Sequence, residues 1–204
     1  SLSLQRDVKA FFRTYTQACK EADGLLYSLG QDGVLEQACN KAPLGKLTPN
    51  ALYVHDSALQ ALPVLLRLYE GCARGYIGRV EDANIIKLHR GEPKISYLSY
   101  PEFETDPHPP LASSLTVHLQ TFRVKSQDFR DRRNRPILHR KELFVAPDFP
   151  LREKFSRLTR IEESKGLYEE TSRIGLEDGW NEILTQRGLC HRGHRLVTAK
   201  GGGH

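Results

Sequence analysis

The chain has 204 residues, 39% of them hydrophobic and 27% charged, with 30 Lys and Arg against 25 Asp and Glu for a formal net charge of +5. It is long enough to bury a core, and too apolar for a disordered chain. No apolar run approaches the ~20 residues of a bilayer span and no secretory leader is recognisable, so the expected compartment is the cytoplasm, with no membrane partner. Cys19, Cys39, Cys72 and Cys190 lie far apart with no CxxC pair, which predicts buried free thiols rather than a disulfide framework or a cysteine zinc site. The chain lacks methionine and ends in Gly201, Gly202, Gly203 and His204, which reads as an excised fragment with an added tail over 199–204.

Leu4, Val8, Phe11, Phe12, Tyr15, Cys19, Ala22 and Leu26 recur at three- and four-residue steps and predict one amphipathic helix over 4–28. A short helix follows over 33–42. Asp56 then reads as the N-cap of a helix from Ser57 to Arg74, with Pro63 in its first turns or at a kink. Beyond Gly78 the period changes to that of strands. "NIIKLHR" (84–90) and "KISYLSY" (94–100) predict a hairpin, 115–119 a third strand and "ILHRKELFV" (137–145) a fourth. Between them "PEFETDPHPP" (101–110) carries four prolines and is expected to be a fixed loop. Helices are expected over 150–165, with Phe155, Leu158 and Ile161 inward, and over 176–187 around Trp180, Ile183 and Leu184, with an edge strand at "GHRLVTA". The expected fold is α+β: an N-terminal helical region (1–78) packed on an α+β region (79–198) that holds a small, mainly antiparallel sheet, the basic surface and further C-terminal helices, the two forming one compact unit.

The basic excess is segregated. Eight Lys or Arg stand between Arg123 and Lys141 against Asp128 and Asp131, and 187–200 carries Arg187, Arg192, Arg195 and Lys200 with no acid. Such patches suit a phosphate backbone, because cations that displace condensed counterions add salt-sensitive affinity. Strand alternation sets Lys87 and His89 on one face and Ile86, Leu88 and Arg90 on the other. The residues expected to meet nucleic acid are Lys87, His89, Arg90, Lys94, Tyr97, Tyr100, Pro101, His108, Arg132, Arg133, Arg135, His139, Arg140, Lys141, Arg192 and Arg195, the cations for phosphates and the rings for sugars or bases. No GxSxG element, phosphate loop or HExxH spacing occurs, so no catalytic group is assigned firmly. His191 and His194, three apart around Gly193, are not assigned to a metal.

The blocks "LYVHDSAL", "LLRLYEGCAR", "KLHRGEPKISYLSYPEFETDPHP", "PILHRKELFVAPDFPLREKFSRLT" and "GHRLV" resemble the C-terminal region of the methyltransferase family associated with bacterial DNA phosphorothioation, over about Leu4 to Val197. In that family an N-terminal domain carries the glycine-rich loop for S-adenosylmethionine. No such loop occurs here, so no cofactor is expected in this chain. The resemblance implies a bacterial DNA-modification and defence setting, with DNA and the methyltransferase domain as partners. A phosphate bearing sulfur is softer and less hydrated, and a cation beside an aromatic wall would suit it.

Two rivals stand beside DNA binding. A metal-dependent nuclease or phosphoesterase on Asp106, His108, His139 and Glu142 requires those side chains to converge in a cleft, yet a strand over 137–145 would turn Lys141 and Glu142 to opposite faces. An inter-domain or dimerisation module around Tyr69 and Trp180 requires an exposed apolar patch there. RNA in place of DNA also stays open.

Overall fold

A computed structural model describes residues 2–199, so the expected tail lies, after Ala199, outside the described residues. The fold is α+β, with helices at both ends of the chain around a six-stranded antiparallel sheet.

The first helix is two. α1 (Leu2–Phe12) stops where Arg13 takes a left-handed φ of 64°, and Thr14 restarts the chain by accepting a hydrogen bond from the Gln17 N–H (3.1 Å) at the head of α2 (Tyr15–Ser28). Neither helix buries any residue, and Phe11 is 78% and Tyr15 72% exposed. The periodic stripe that predicted the helix therefore does not face a core. α3 (Val34–Asn40) does, through Leu35, Ala38 and Cys39.

Two strands were not foreseen, β1 (Lys46–Leu47) and β2 (Ala51–His55). The expected 57–74 helix is divided: a 3₁₀ turn covers Asp56–Ala61, and α4 (Val64–Ile77) begins only after Pro63. The cap of that turn is His55 rather than Asp56, its Nδ1 accepting from the Ser57 N–H (3.1 Å).

β3 (Ile85–His89), β4 (Lys94–Ser99) and β5 (Ser113–His118) match expectation, whereas the edge strand β6 (Arg123–Asp128) was missed because only Val124 is apolar in it. The order is β1-β2-β3-β4-β5-β6, with Leu88 opposite Ile95 and Ile95 opposite Val117. The period of two puts Leu52, Val54, Ile86, Leu88, Ile95, Tyr97 and Val117 in one core that also contains α3 and α4 residues. The opposite face is divided. Towards one end His89, Ser96 and Thr116 form a polar row (His89 Nε2 to Ser96 Oγ 3.2 Å, Ser96 Oγ to Thr116 Oγ1 2.8 Å), and at the other Ile85, Leu98 and Tyr100 join Phe103, Phe144 and Phe155 in a second core.

Segment 137–145 is not a strand. Ile137 makes a single bridge to Pro110, Arg140 has a φ of 57°, and a 3₁₀ turn follows at Lys141–Leu143. α5 (Arg152–Ser164) buries Phe155 and Leu158 as expected, but Ile161 is 39% exposed and Glu162 takes the inward position. α6 (Glu177–Gln186) buries Trp180, Ile183 and Leu184. The chain then pairs β7 (Leu189–His191) with β8 (Leu196–Thr198) in a separate two-stranded ribbon, not on the edge of the main sheet. No helix of the described residues is long and apolar enough to cross a membrane. The four cysteines are free, Cys39 buried and the others half-buried.

Candidate functional site: a buried histidine and glutamate cluster

The proline-rich loop 101–112 is built to hold one side chain. Asp106 Oδ1 accepts the His108 N–H (2.8 Å), a tight local turn, and Pro107, Pro109 and Pro110 restrict the backbone around it. The loop is clamped from outside by Lys141. Its ammonium is buried, donates to the carbonyls of Phe103 (2.7 Å) and Asp106 (2.5 Å), lies 2.9 Å from His194 Nε2 and sits 4.1 Å from the centre of the Phe155 ring. Burial lowers the Lys141 pKa to about 7 despite the nearby carboxylate of Asp106.

Held this way, His108 meets α5 and β7. Glu162 Oε1 lies 2.7 Å from His108 Nε2 and 2.7 Å from His191 Nε2, while Oε2 accepts the Tyr168 hydroxyl (2.7 Å). Glu162 has no exposed surface. Burial alone would raise its pKa, but the hydrogen bonds of His108, His191 and Tyr168 outweigh that and hold the carboxyl down at about 2. His108 Nδ1 lies 3.3 Å from the Leu138 carbonyl, aligned to donate to it. Trp180 packs edge-on to His108 and stacks on His191, and Arg140 lies 4.4 Å over the Tyr168 ring while pairing with Glu163. His108 and His191 line a cleft of about 810 Å³ whose walls include Glu102, Arg135, Glu177 and Gly193.

His139 stands beside the cluster, 4.4 Å ring to ring from His108, with Nε2 on the Ile174 carbonyl (2.5 Å) and a buried Nδ1 that has no hydrogen-bond partner. Burial and His108 lower its pKa to about 3. Chemically, the cluster offers two imidazole nitrogens and one carboxylate oxygen within 4.8 Å of one another, a set of donors able to hold a metal ion or share protons.

The residues expected from sequence have different fates. His108, His139 and Lys141 are brought together and buried, His108 on the wall of the cleft and His139 and Lys141 behind it, rather than spread on an open surface. Tyr97 and Tyr100 are also buried, Tyr97 donating to Glu70 Oε1 (3.0 Å), so neither ring is free to stack on a base. Several cations are engaged: Arg90 with Glu36, Asn40 and the Thr48 carbonyl, Lys94 with Glu92, Arg135 with Glu177. His89 is half-buried on the polar row of the sheet and Pro101 is exposed on the loop. Arg132, Arg133, Arg192 and Arg195 are exposed and have no acidic partner among the described residues, and Lys87 lies 5.2 Å from the centre of the Tyr53 ring.

For the hydrolytic rival, Asp106 and His108 are joined and His139 is adjacent, but Glu142 accepts from the Thr159 hydroxyl (3.0 Å) instead of joining them. Glu162 and Tyr168 were missed, and His191 was considered only with His194 and not assigned to a site, whereas its partner here is Glu162. Glu162 had a signal, since it follows Phe155 and Leu158 by seven and four residues and so falls on the same helical stripe. Tyr69 and Trp180, offered as docking residues, are core residues at 1% and 3% exposure.

Compared with family models, with curated proteins and with solved structures, the chain matches none.

Proposed function

We propose that this chain is a nucleic-acid-binding accessory domain that meets the backbone of DNA beside the cleft. The observation that carries the reading is the set of exposed cations, unpaired among the described residues, along one stretch of chain and one turn. Arg123 and Lys125 stand exposed on the edge strand β6, and Arg132 and Arg133 follow in the loop that reaches the cleft wall at Arg135. Arg192 and Arg195 flank Gly193 of that cleft in the β7–β8 turn. Cations without acidic partners are the ones able to displace counterions from phosphates. The exposed Arg132 guanidinium lies 4.3 Å over the ring of the buried Phe129, a cation beside an aromatic wall of the kind a sulfur-bearing phosphate would favour. The DNA-modification setting and the methyltransferase-domain partner belong to this reading through the family resemblance.

The test is binding of the chain to matched short duplexes, with and without one phosphorothioate, across a salt series. Affinity should fall steeply with salt, and R132A/R133A and R192A/R195A should each flatten the log–log slope by about two, roughly one per lost phosphate contact. Preference for the sulfur-bearing duplex would extend the role to sensing the modification, preference for RNA would change the partner, and absence of binding at low salt would overturn the reading.

A second reading, docking onto the methyltransferase domain that the resemblance implies, is favoured by the exposed apolar side chains of α1 and α2, among them Leu2, Phe11, Tyr15 and Tyr27. It expects F11S/Y27S to abolish association with that domain while leaving duplex affinity unchanged.

A further inference from the structure

We propose that His108, Glu162 and His191 bind one divalent transition-metal ion of the zinc class, with a remaining coordination position open to the cleft. The three donors come from a proline-fixed loop, a helix and a ribbon strand, separated by 54 and 29 residues along the chain, and their ligand atoms lie within 4.8 Å of one another. Two imidazoles and one carboxylate, with a position left for water or substrate, are a donor set that zinc accepts in open sites.

His108 gives the sharper reason. A neutral imidazole carries one N–H, yet His108 has an oxygen against each ring nitrogen, the Leu138 carbonyl at Nδ1 (3.3 Å) and Glu162 at Nε2 (2.7 Å). If Nδ1 donates to Leu138, Nε2 turns a lone pair towards a carboxylate, and that contact is favourable only with a cation between them. A metal-bound histidine characteristically gives its other N–H to a backbone carbonyl, and a ligating carboxylate keeps a hydrogen bond on its free oxygen, which Tyr168 supplies here (2.7 Å).

The fit requires the two imidazole nitrogens, which lie within 4.8 Å of each other, to take up the spacing that the ion sets. Donors held ~2.0–2.1 Å from a tetrahedral zinc lie roughly 3.3 Å apart, so each histidine would withdraw from Glu162 by several tenths of an ångström. His108 and His191 line the cleft and Glu162 does not, so the open position faces the cleft, where Arg135 could steady an anionic oxygen donor. The competing account is a purely hydrogen-bonded triad with a proton where the metal would be.

The deciding experiment strips the 204-residue chain with chelator and titrates it with Zn²⁺ against a competing chromophoric chelator, then with Co²⁺ to read the visible spectrum. The expected result is about one equivalent bound, tetrahedral or five-coordinate Co²⁺ bands, and affinity lowered ~100-fold or more by H191Q but unchanged by H194Q. Because H191Q could perturb folding, the ring ¹⁵N signals of wild-type His108 and His191 give a second reading: both Nε2 resonances should shift on adding Zn²⁺. No stoichiometric uptake, binding that survives H191Q, or Zn²⁺ that leaves those two resonances in place would each overturn the metal site. DNA affinity is read separately, so the metal site and the DNA-binding role can fail independently.

Discussion

The core between the sheet and helices α3 and α4 and the interior around α5, α6 and the β7–β8 ribbon are held together by different forces. The first is apolar almost throughout: Leu52, Val54, Leu66, Ile86, Leu88, Ile95 and Val117 interlock, and hydrophobic transfer and dispersion carry it. The second closes over charge. Glu162, His108, His139 and Lys141 are all buried there, among Phe155, Tyr168 and Trp180. Apolar packing tolerates a changed shape at moderate loss, whereas a buried polar network is stable only while every member keeps its partner. The difference teaches where to look for function, because the first region buries a single carboxylate, Glu70, already matched by Arg74 and Tyr97, whereas the second gathers a glutamate, two histidines and a lysine.

The sharpest way to break the contrast is to remove the centre of the charged region. E162L should destabilise the metal-free chain by about 3–5 kcal/mol in urea unfolding, because three donors lose their acceptor at once. A loss below about 1 kcal/mol would mean that the triad is not assembled in solution. In the apolar region L88A should lose about 2–4 kcal/mol, by transfer and cavity together, with no change in metal uptake.

A smaller effect separates the regions by pH. His55 caps the 3₁₀ turn through an unprotonated Nδ1 and stacks 4.6 Å from Phe103, and burial, partly offset by Asp56, lowers its pKa from 6.5 to about 4. Between those values the unfolded chain holds a proton that the folded chain does not, so stability should fall as pH drops from 6.5 towards 4 and be insensitive to this group above that window. H55A should lose about 1 kcal/mol at pH 7, and its deficit should narrow at pH 5, as read by urea midpoints at the two values. A deficit that stays constant would show that the cap is not proton-sensitive.

The sequence by itself determined the α+β class, the hairpin of β3 and β4, the third strand, the rigid loop and the two C-terminal helices, because strict two- and four-residue periods and proline chemistry act locally. It also determined which face of β3 is apolar. It missed β1 and β6, whose short or polar runs become strands only by pairing with neighbours, and β2, whose apolar run ALYVH was legible but was passed over between Pro49 and the expected Asp56 cap; it also read a strand at 137–145 where Arg140 turns left-handed. Helical period predicted α1 and α2 but not that their stripe stays uncovered, because period reports amphipathicity and not the presence of a partner. The site was half legible: His108, His139 and Lys141 were singled out as surface residues, and only the tertiary structure put them inside beside Glu162 and His191. Convergence of a loop, a helix and a ribbon is long-range, and no local spacing records it. Whether a charged side chain is exposed or buried is likewise decided by what closes over it, and here Lys141 is enclosed by the carbonyls of Phe103 and Asp106 and the ring of Phe155.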